Sequence, residues 1–206
     1  MTDYPTYTHQ PFLDKYIRET TGDVIEFGAG DGSTGLIRKL LEGTGRKLVT
    51  VESSSEWLER MKSEFPENAD HEYIFTSNWY DTIQTFPKDR FDVVFIDQNP
   101  WIARKWTLDH FRNSTAKYIL IHDVDYFPVN GVFGRRLGEF SFDFSDYFKH
   151  YNVYYPEKPW PYKTGPPTLV GTNTDQPLFE ESEILKSYNP SEYSSVYKRW
   201  YKDNVN

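Results

Sequence analysis

The residues best placed to do chemistry fall in one short run, Glu26-Phe27-Gly28-Ala29-Gly30-Asp31-Gly32-Ser33-Thr34. Glycines at alternate positions let the backbone turn sharply and let a ligand approach with no Cβ in the way. The spacing is G-x-G-x-G, not the G-x-G-x-x-G that seats a dinucleotide pyrophosphate on a helix N-terminus. Glu26, just before the glycines, suits a cationic ligand better than a phosphate. A second acid, Glu52, follows Gly30 by 22 residues, where a carboxylate can accept both hydroxyls of a ribose. Two more clusters stand where apolar runs end: Asp97-Gln98-Asn99-Pro100-Trp101 and His122-Asp123-Val124-Asp125-Tyr126. Histidine, with an ordinary pKa of about 6.5, is a suitable general base, and Asp97 or Asp123 is the alternative. Neighbouring side chains on an extended chain face opposite sides, so His122 and Asp123 share a pocket only if the strand has ended.

These groups lie far apart in sequence and need a scaffold that gathers them at one edge. The first two-thirds of the chain alternates short β-rich runs with helical patterns, as a parallel sheet with crossover helices requires. Strands are expected over 23–27, 47–52, 73–75, 91–96 and 118–121. The run at 91–96 is nearly all apolar, which suits a strand buried on both faces. Helices are expected over 33–41, from a Ser54 or Ser55 cap to Pro66, and over 103–111. Two further strands, 151–155 and 168–172, would pair at the sheet edge. The tail reads as partly helical, with Tyr193, Tyr197 and Trp200 on one stripe.

Taken in order, Glu26, the glycines at 28, 30 and 32, Glu52 and Asp97 resemble the class I S-adenosylmethionine-dependent methyltransferases over residues 23–124, and loosely to 172. The resemblance implies an α/β, Rossmann-like doubly wound, mostly parallel seven-stranded sheet with helices on both faces. It implies one domain, with residues 1–22 as a lid over the cofactor, 23–172 as the core and 173–206 as an extension. Glu26, Gly28, Gly30 and Gly32 would hold the methionine end of S-adenosylmethionine, and Glu52 the ribose, with Ser53 beside it. Ser77 and Asn78 stand where the family contacts adenine. Asp97 and Asp123 also match the two metal ligands of the small-molecule O-methyltransferases that act on catechols and sugars, and oxygen ligands of this kind suit Mg²⁺ or Mn²⁺. Pro100 and Val124 replace a Lys and an Asn of the catechol enzymes. In general character the chain is also similar to glycan-modifying methyltransferases of large algal viruses, which act on rhamnose.

Phe, Trp and Tyr make up 18% of the 206 residues. Most of these belong to ordinary packing, but Trp101, Tyr126 and Trp160 fall in loops by the strand ends and would wall a sugar acceptor. Arg104, Lys105, Arg135 and Arg136 are expected on solvated faces, or against an anionic group of the acceptor. His9 and Tyr7 are expected at the surface. The chain has no cysteine, which removes disulfides, zinc-thiolate sites and a cysteine nucleophile, and points to a reducing, cytoplasmic setting. A net charge of −8 disfavours nucleic acid as a partner. Mean hydropathy is −0.73, and no run approaches the roughly 20 apolar residues of a membrane span. A homodimer is compatible with the sequence. The competing readings are an NAD(P)-dependent oxidoreductase and a non-catalytic carbohydrate-binding protein on the same fold.

Overall fold

The computed structural model describes residues 8–124, 143–154 and 167–188. Tyr126, Trp160, Arg135, Arg136, Tyr7 and the aromatic stripe of the tail lie outside the described residues. The strands are β1 (Asp23–Phe27), β2 (Leu48–Glu52), β3 (His71–Phe75), β4 (Phe91–Ile96), β5 (Tyr118–His122), β6 (His150–Tyr154) and β7 (Thr168–Thr172). They form one sheet in the order β3-β2-β1-β4-β5-β7-β6. The first five are parallel, and β7 runs antiparallel to both β5 and β6. The order in which strands are added reverses between β1 and β4, which are themselves parallel, and ligands of such sheets bind at the crevice beyond the carboxyl ends there.

The helices are α1 (Gln10–Arg18), α2 (Thr34–Leu41), α3 (Ser55–Glu64), α4 (Trp79–Gln84), α5 (Trp101–Phe111) and α6 (Glu181–Ser187). One face of the sheet is covered by α1, α2 and α6, where Leu13, Tyr16, Leu36, Ile37 and Ile184 bury against Val24, Val93, Phe95 and Leu120. The other is covered by α4 and α5, whose Ile83, Ala103, Leu108 and Phe111 meet Phe27, Val94, Ile96 and Ile119. Alternation along each strand divides the two cores: Val93 and Phe95 face one, Val94 and Ile96 the other. Leu58 and Met61 of α3 pack on Tyr73 of β3. Ser54 caps α3, its Oγ accepting the Trp57 amide at 3.2 Å.

Two elements depart from the sequence reading. The segment expected to lie over a cofactor as a lid contributes a helix, α1, that the sequence reading did not assign, and its Phe12, Leu13, Tyr16 and Ile17 are core residues. His9, expected at the surface, is buried beside Phe95 and His122. The helix α4 follows β3 in a stretch to which the sequence reading assigned no element, started by Asn78, whose Oδ1 accepts the Asp81 amide.

At the crevice, Gly28 adopts φ 93°. A Cβ there would stand 2.7 Å from the Asp97 carbonyl and the Gln98 nitrogen, closer than real contacts allow. Gly43, after α2, has a similar φ of 71° with nothing within 4 Å of a Cβ. Both substitutions to alanine meet the left-handed penalty, of about 1 kcal/mol, but only Gly28→Ala adds a backbone collision. We expect Gly43→Ala to lower thermal stability modestly and Gly28→Ala to cost more than about 2 kcal/mol. Thermal denaturation of the two variants side by side checks the ranking; equal losses would contradict it.

Candidate active site

The glycine loop leaves β1 at the crevice and is pinned on three sides. Ala29 donates its amide to Glu52 Oε2 at 3.0 Å, and its carbonyl accepts Trp57 Nε1 at 2.7 Å. Gly32 accepts Gln10 Nε2 through its carbonyl at 2.7 Å, and Gln10 Oε1 in turn accepts the Tyr188 hydroxyl at 3.0 Å. Glu52, ending β2, also receives the amides of Ser53 and Ser54 on Oε1, both at 2.7 Å. Its position beside the loop is that expected from sequence. Ser53 is half-buried and lends Glu52 its amide. Ser77 and Asn78 are exposed, and the Asn78 side chain is engaged with Asp81 at the start of α4.

Glu26 departs from the expected role. Its carboxyl is fully buried under the first turn of α2, hydrogen-bonded by the hydroxyls of Ser33, Thr34 (2.8 Å) and Thr50 (3.0 Å). A group enclosed in this way braces the loop from below and is not open to the methionine end of a cofactor. Burial pushes its pKa up to about 8, against the downward pull of the three hydroxyls.

Beside the loop, β4 and β5 deliver the acids and the histidine. The Asp97 amide donates to the Phe27 carbonyl at 2.8 Å, which fixes Asp97 next to Gly28. His122 Nδ1 lies 3.2 Å from Asp97 Oδ2, and His122 Nε2 lies 3.3 Å from Thr8 Oγ1. The strand ends at His122, and Asp123 turns to φ 52°. Asp123 Oδ1 consequently comes within 4.0 Å of His122 Nδ1, so these neighbours share one environment. Asp97 and Asp123 keep about a quarter of their side chains exposed, 24% and 25%, while His122 is buried. Burial alone would raise the Asp97 pKa, but the charges of His122 and Arg104 outweigh it and hold it at about 2. Burial would lower the His122 pKa, and the Asp97 charge and hydrogen bond raise it above 6.5. Burial and the neighbouring His122 push His9 down to about 3.

Arg104, expected on a solvated face, is buried among these groups. Its Nη2 donates to Asp97 Oδ1 at 2.9 Å and stands 3.7 Å from Asp123 Oδ2. Its Nε donates to the Gln98 carbonyl at 2.8 Å, and Nη1 to the His122 carbonyl. Trp101, expected to wall the acceptor, stacks on this guanidinium with 3.8 Å to the ring centroid. Lys105 does lie outward, paired with Asp109 at 2.6 Å. The expected metal pair, Asp97 and Asp123, thus already shares a cation of the protein's own, and the residues do not fit a divalent ion between them. His9, Asp97 and His122 form a compact group with ligand-type atoms within 4.8 Å of one another. There too Asp97 is engaged, by His122 on one oxygen and Arg104 on the other. Sequence reasoning missed Thr8 and the burial of Arg104 and His9, because their partners are set by the sheet and not by local pattern. No helix among the described residues is long and apolar enough to cross a membrane.

No protein-family model matches the chain, and no curated protein matches it in sequence. Solved structures match it in fold. Spermidine synthase from Thermotoga maritima is 16% identical, with a TM-score of 0.58 over 97% of this chain and 71% of its own. The methyltransferase domain of bacterial CtHen1-C is 12% identical, with a TM-score of 0.51 over 81% of this chain and 97% of its own. A candidate O-methyltransferase from Klebsiella pneumoniae is 16% identical, with a TM-score of 0.53 over 81% and 80%. At these identities the likeness establishes the architecture, a Rossmann-like sheet of seven strands closed by an antiparallel edge pair.

The buried Glu26 carries a pH signature. Its folded pKa of about 8 exceeds the ordinary 4.5, so the folded state binds the proton more tightly. That stabilisation is complete below 4.5 and is lost as pH rises through about 8. Glu26→Gln keeps the shape without the charge. Melting curves at about pH 6 and about pH 9 should show a larger drop for the natural chain than for Glu26→Gln; parallel drops would mean that the carboxyl is ionised in the fold.

Proposed function

We propose that the chain is an S-adenosylmethionine-dependent methyltransferase that methylates a hydroxyl of a small polar acceptor, a sugar hydroxyl being the preferred class. The observation that carries the reading is the adjacency of two devices at one crevice: a pinned glycine loop beside the Glu52 carboxylate, and the Asp97–His122 pair at the next strand ends. The chain's own groups fit the cofactor. Glu52 Oε2 takes one amide and retains lone-pair capacity for a ribose hydroxyl. The solved structures of the same fold include a methyltransferase domain, which agrees with this reading. The sugar preference rests on the aromatic residues of the sequence.

S-adenosylmethionine, when bound, supplies a methyl group on a positively charged sulfur. Glu52 and the glycine loop would hold it, and loss of the methyl to the acceptor oxygen would leave a neutral thioether sulfur behind. The chain's task is to align the acceptor and take up its proton. Asp97 holds Nδ1–H of His122, which leaves Nε2 as the proton acceptor. Thr8 Oγ1 stands on Nε2, so the proton passes through the Thr8 hydroxyl, which accepts one hydrogen as it donates its own. A cationic amine acceptor is disfavoured, because Arg104 and His122 already compensate the two carboxylates it would need.

Calorimetry with S-adenosylmethionine and with NAD(P) tests the reading directly. The first should bind and the second should not; the reverse would favour the oxidoreductase. Glu52→Ala should weaken S-adenosylmethionine binding by about 10- to 100-fold. Methyl-transfer assays over sugar acceptors should show His122→Ala slowed by about 10²- to 10⁴-fold, with cofactor affinity unchanged. His122 must be neutral to accept a proton, and Asp97, Asp123, Arg104 and His9 all face it. With its pKa raised above 6.5, turnover should climb with pH through a midpoint above that value. A flat profile across that range would remove His122 from the proton-accepting role.

A further inference from the structure

We infer that Arg104 takes the place of a divalent cation between Asp97 and Asp123, acting as a built-in positioning residue that makes the site independent of metal. The inference rests on the reading of this crevice as a methyl-transfer site, and it extends that reading to the means by which the acids are held.

The geometry is that of a bridging cation. One guanidinium nitrogen, Nη2, reaches Asp97 Oδ1 at 2.9 Å and Asp123 Oδ2 at 3.7 Å. The same nitrogen also meets the Asp97 carbonyl at 3.3 Å. The other two nitrogens are spent on the carbonyls of Gln98 and His122, one from each strand end. The guanidinium thus ties the end of β4 to the end of β5 through backbone and side chain at once. Only 4% of the Arg104 side chain is exposed, and Trp101 covers its face. A fixed planar fork of donors suits this task, whereas a lysine ammonium is a point charge without the fork.

Charge accounting points the same way. Two carboxylates face Arg104 and the His122 ring, whose Nδ1 lies 3.2 Å from Asp97 Oδ2. A divalent ion added to that set would meet the guanidinium at short range, a repulsion that screening weakens and does not remove. With Arg104 removed, Asp97 keeps only His122 and Asp123 loses its nearest cation, and a buried charge without its partner is the costly state. The left-handed turn at Asp123 is what aims its carboxylate at the shared cation; continued extended backbone would send it to the opposite side of the sheet from His122.

The experiment is an Mn²⁺ titration of the full chain, followed by water proton relaxation, together with S-adenosylmethionine calorimetry on the same samples. The natural chain should show no Mn²⁺ site dependent on Asp123. Arg104→Ala should gain Mn²⁺ affinity by at least about tenfold, and adding Asp123→Asn should abolish the gain. Arg104→Lys, which keeps the charge, should resemble the natural chain. An Mn²⁺ site in the natural chain that Asp123→Asn removes would overturn the inference, and so would a folded Arg104→Ala with no gain. Should Arg104→Ala fail to fold, the natural chain with and without Asp123→Asn still decides it. Where a methylated acceptor has been found, turnover should be unchanged by EDTA, and a loss restored by Mg²⁺ would overturn it as well. Failure of the methyl-transfer reading is separate, showing as no S-adenosylmethionine binding whatever the Mn²⁺ result.

Discussion

The contact on which this molecule turns is the meeting of the first and fourth strand ends. Gly28 passes so close to the Asp97–Gln98 peptide that no side chain fits between them, and the Asp97 amide is fastened to the Phe27 carbonyl. Everything chemical is hung from that junction. It sets Asp97 beside the glycine loop, and Asp97 in turn orients His122 and receives Arg104. A side chain at position 28 would push the two strand ends apart, and the acids of β4 and β5 would then face a gap instead of a neighbour.

Two carboxyls close to this junction illustrate how environment assigns roles. Glu26 and Asp97 both feel strong desolvation, yet one is pushed to about 8 and the other held at about 2. The difference lies in their partners. Hydroxyl dipoles around Glu26 offset part of the burial cost, whereas Asp97 has an arginine and a histidine whose full charges exceed it. The neutral acid does structural work beneath the loop, and the ionised one faces the crevice. Separation of this kind lets a site keep one carboxyl as scaffold and the other as an electrostatic anchor.

Much of the scaffold was legible in the sequence. Strands β1, β4 and β7 fall where their apolar runs predicted, because a strand buried on both faces leaves little ambiguity. The edge pairing of β6 with β7 was also readable. The α1 helix was missed as a core element because its apolar residues follow a polar, aromatic opening that resembles a covering segment. The short α4 offers only six residues, too few for periodicity to speak. In the site, Glu52 and Asp97 lie where spacing suggested, but Glu26 does not serve as expected, since a motif reports an acid's presence and not which way it faces. Arg104 was hardest to read: a cation on a helix is usually solvated, and its five partners come from residues 97, 98, 101, 122 and 123.

The side-chain amide of Gln10 has a directional consequence. It gives a hydrogen to Gly32 with one end and receives the Tyr188 hydroxyl with the other. A side-chain amide carries both polarities on one rigid plane, so an ionised glutamate could accept from the tyrosine but could not donate to the glycine carbonyl. The latch therefore joins residues 178 positions apart, and on a ribosome it cannot close before Tyr188 has emerged. Although the glycine loop is made early, its last fastening waits for one of the final described segments of the chain.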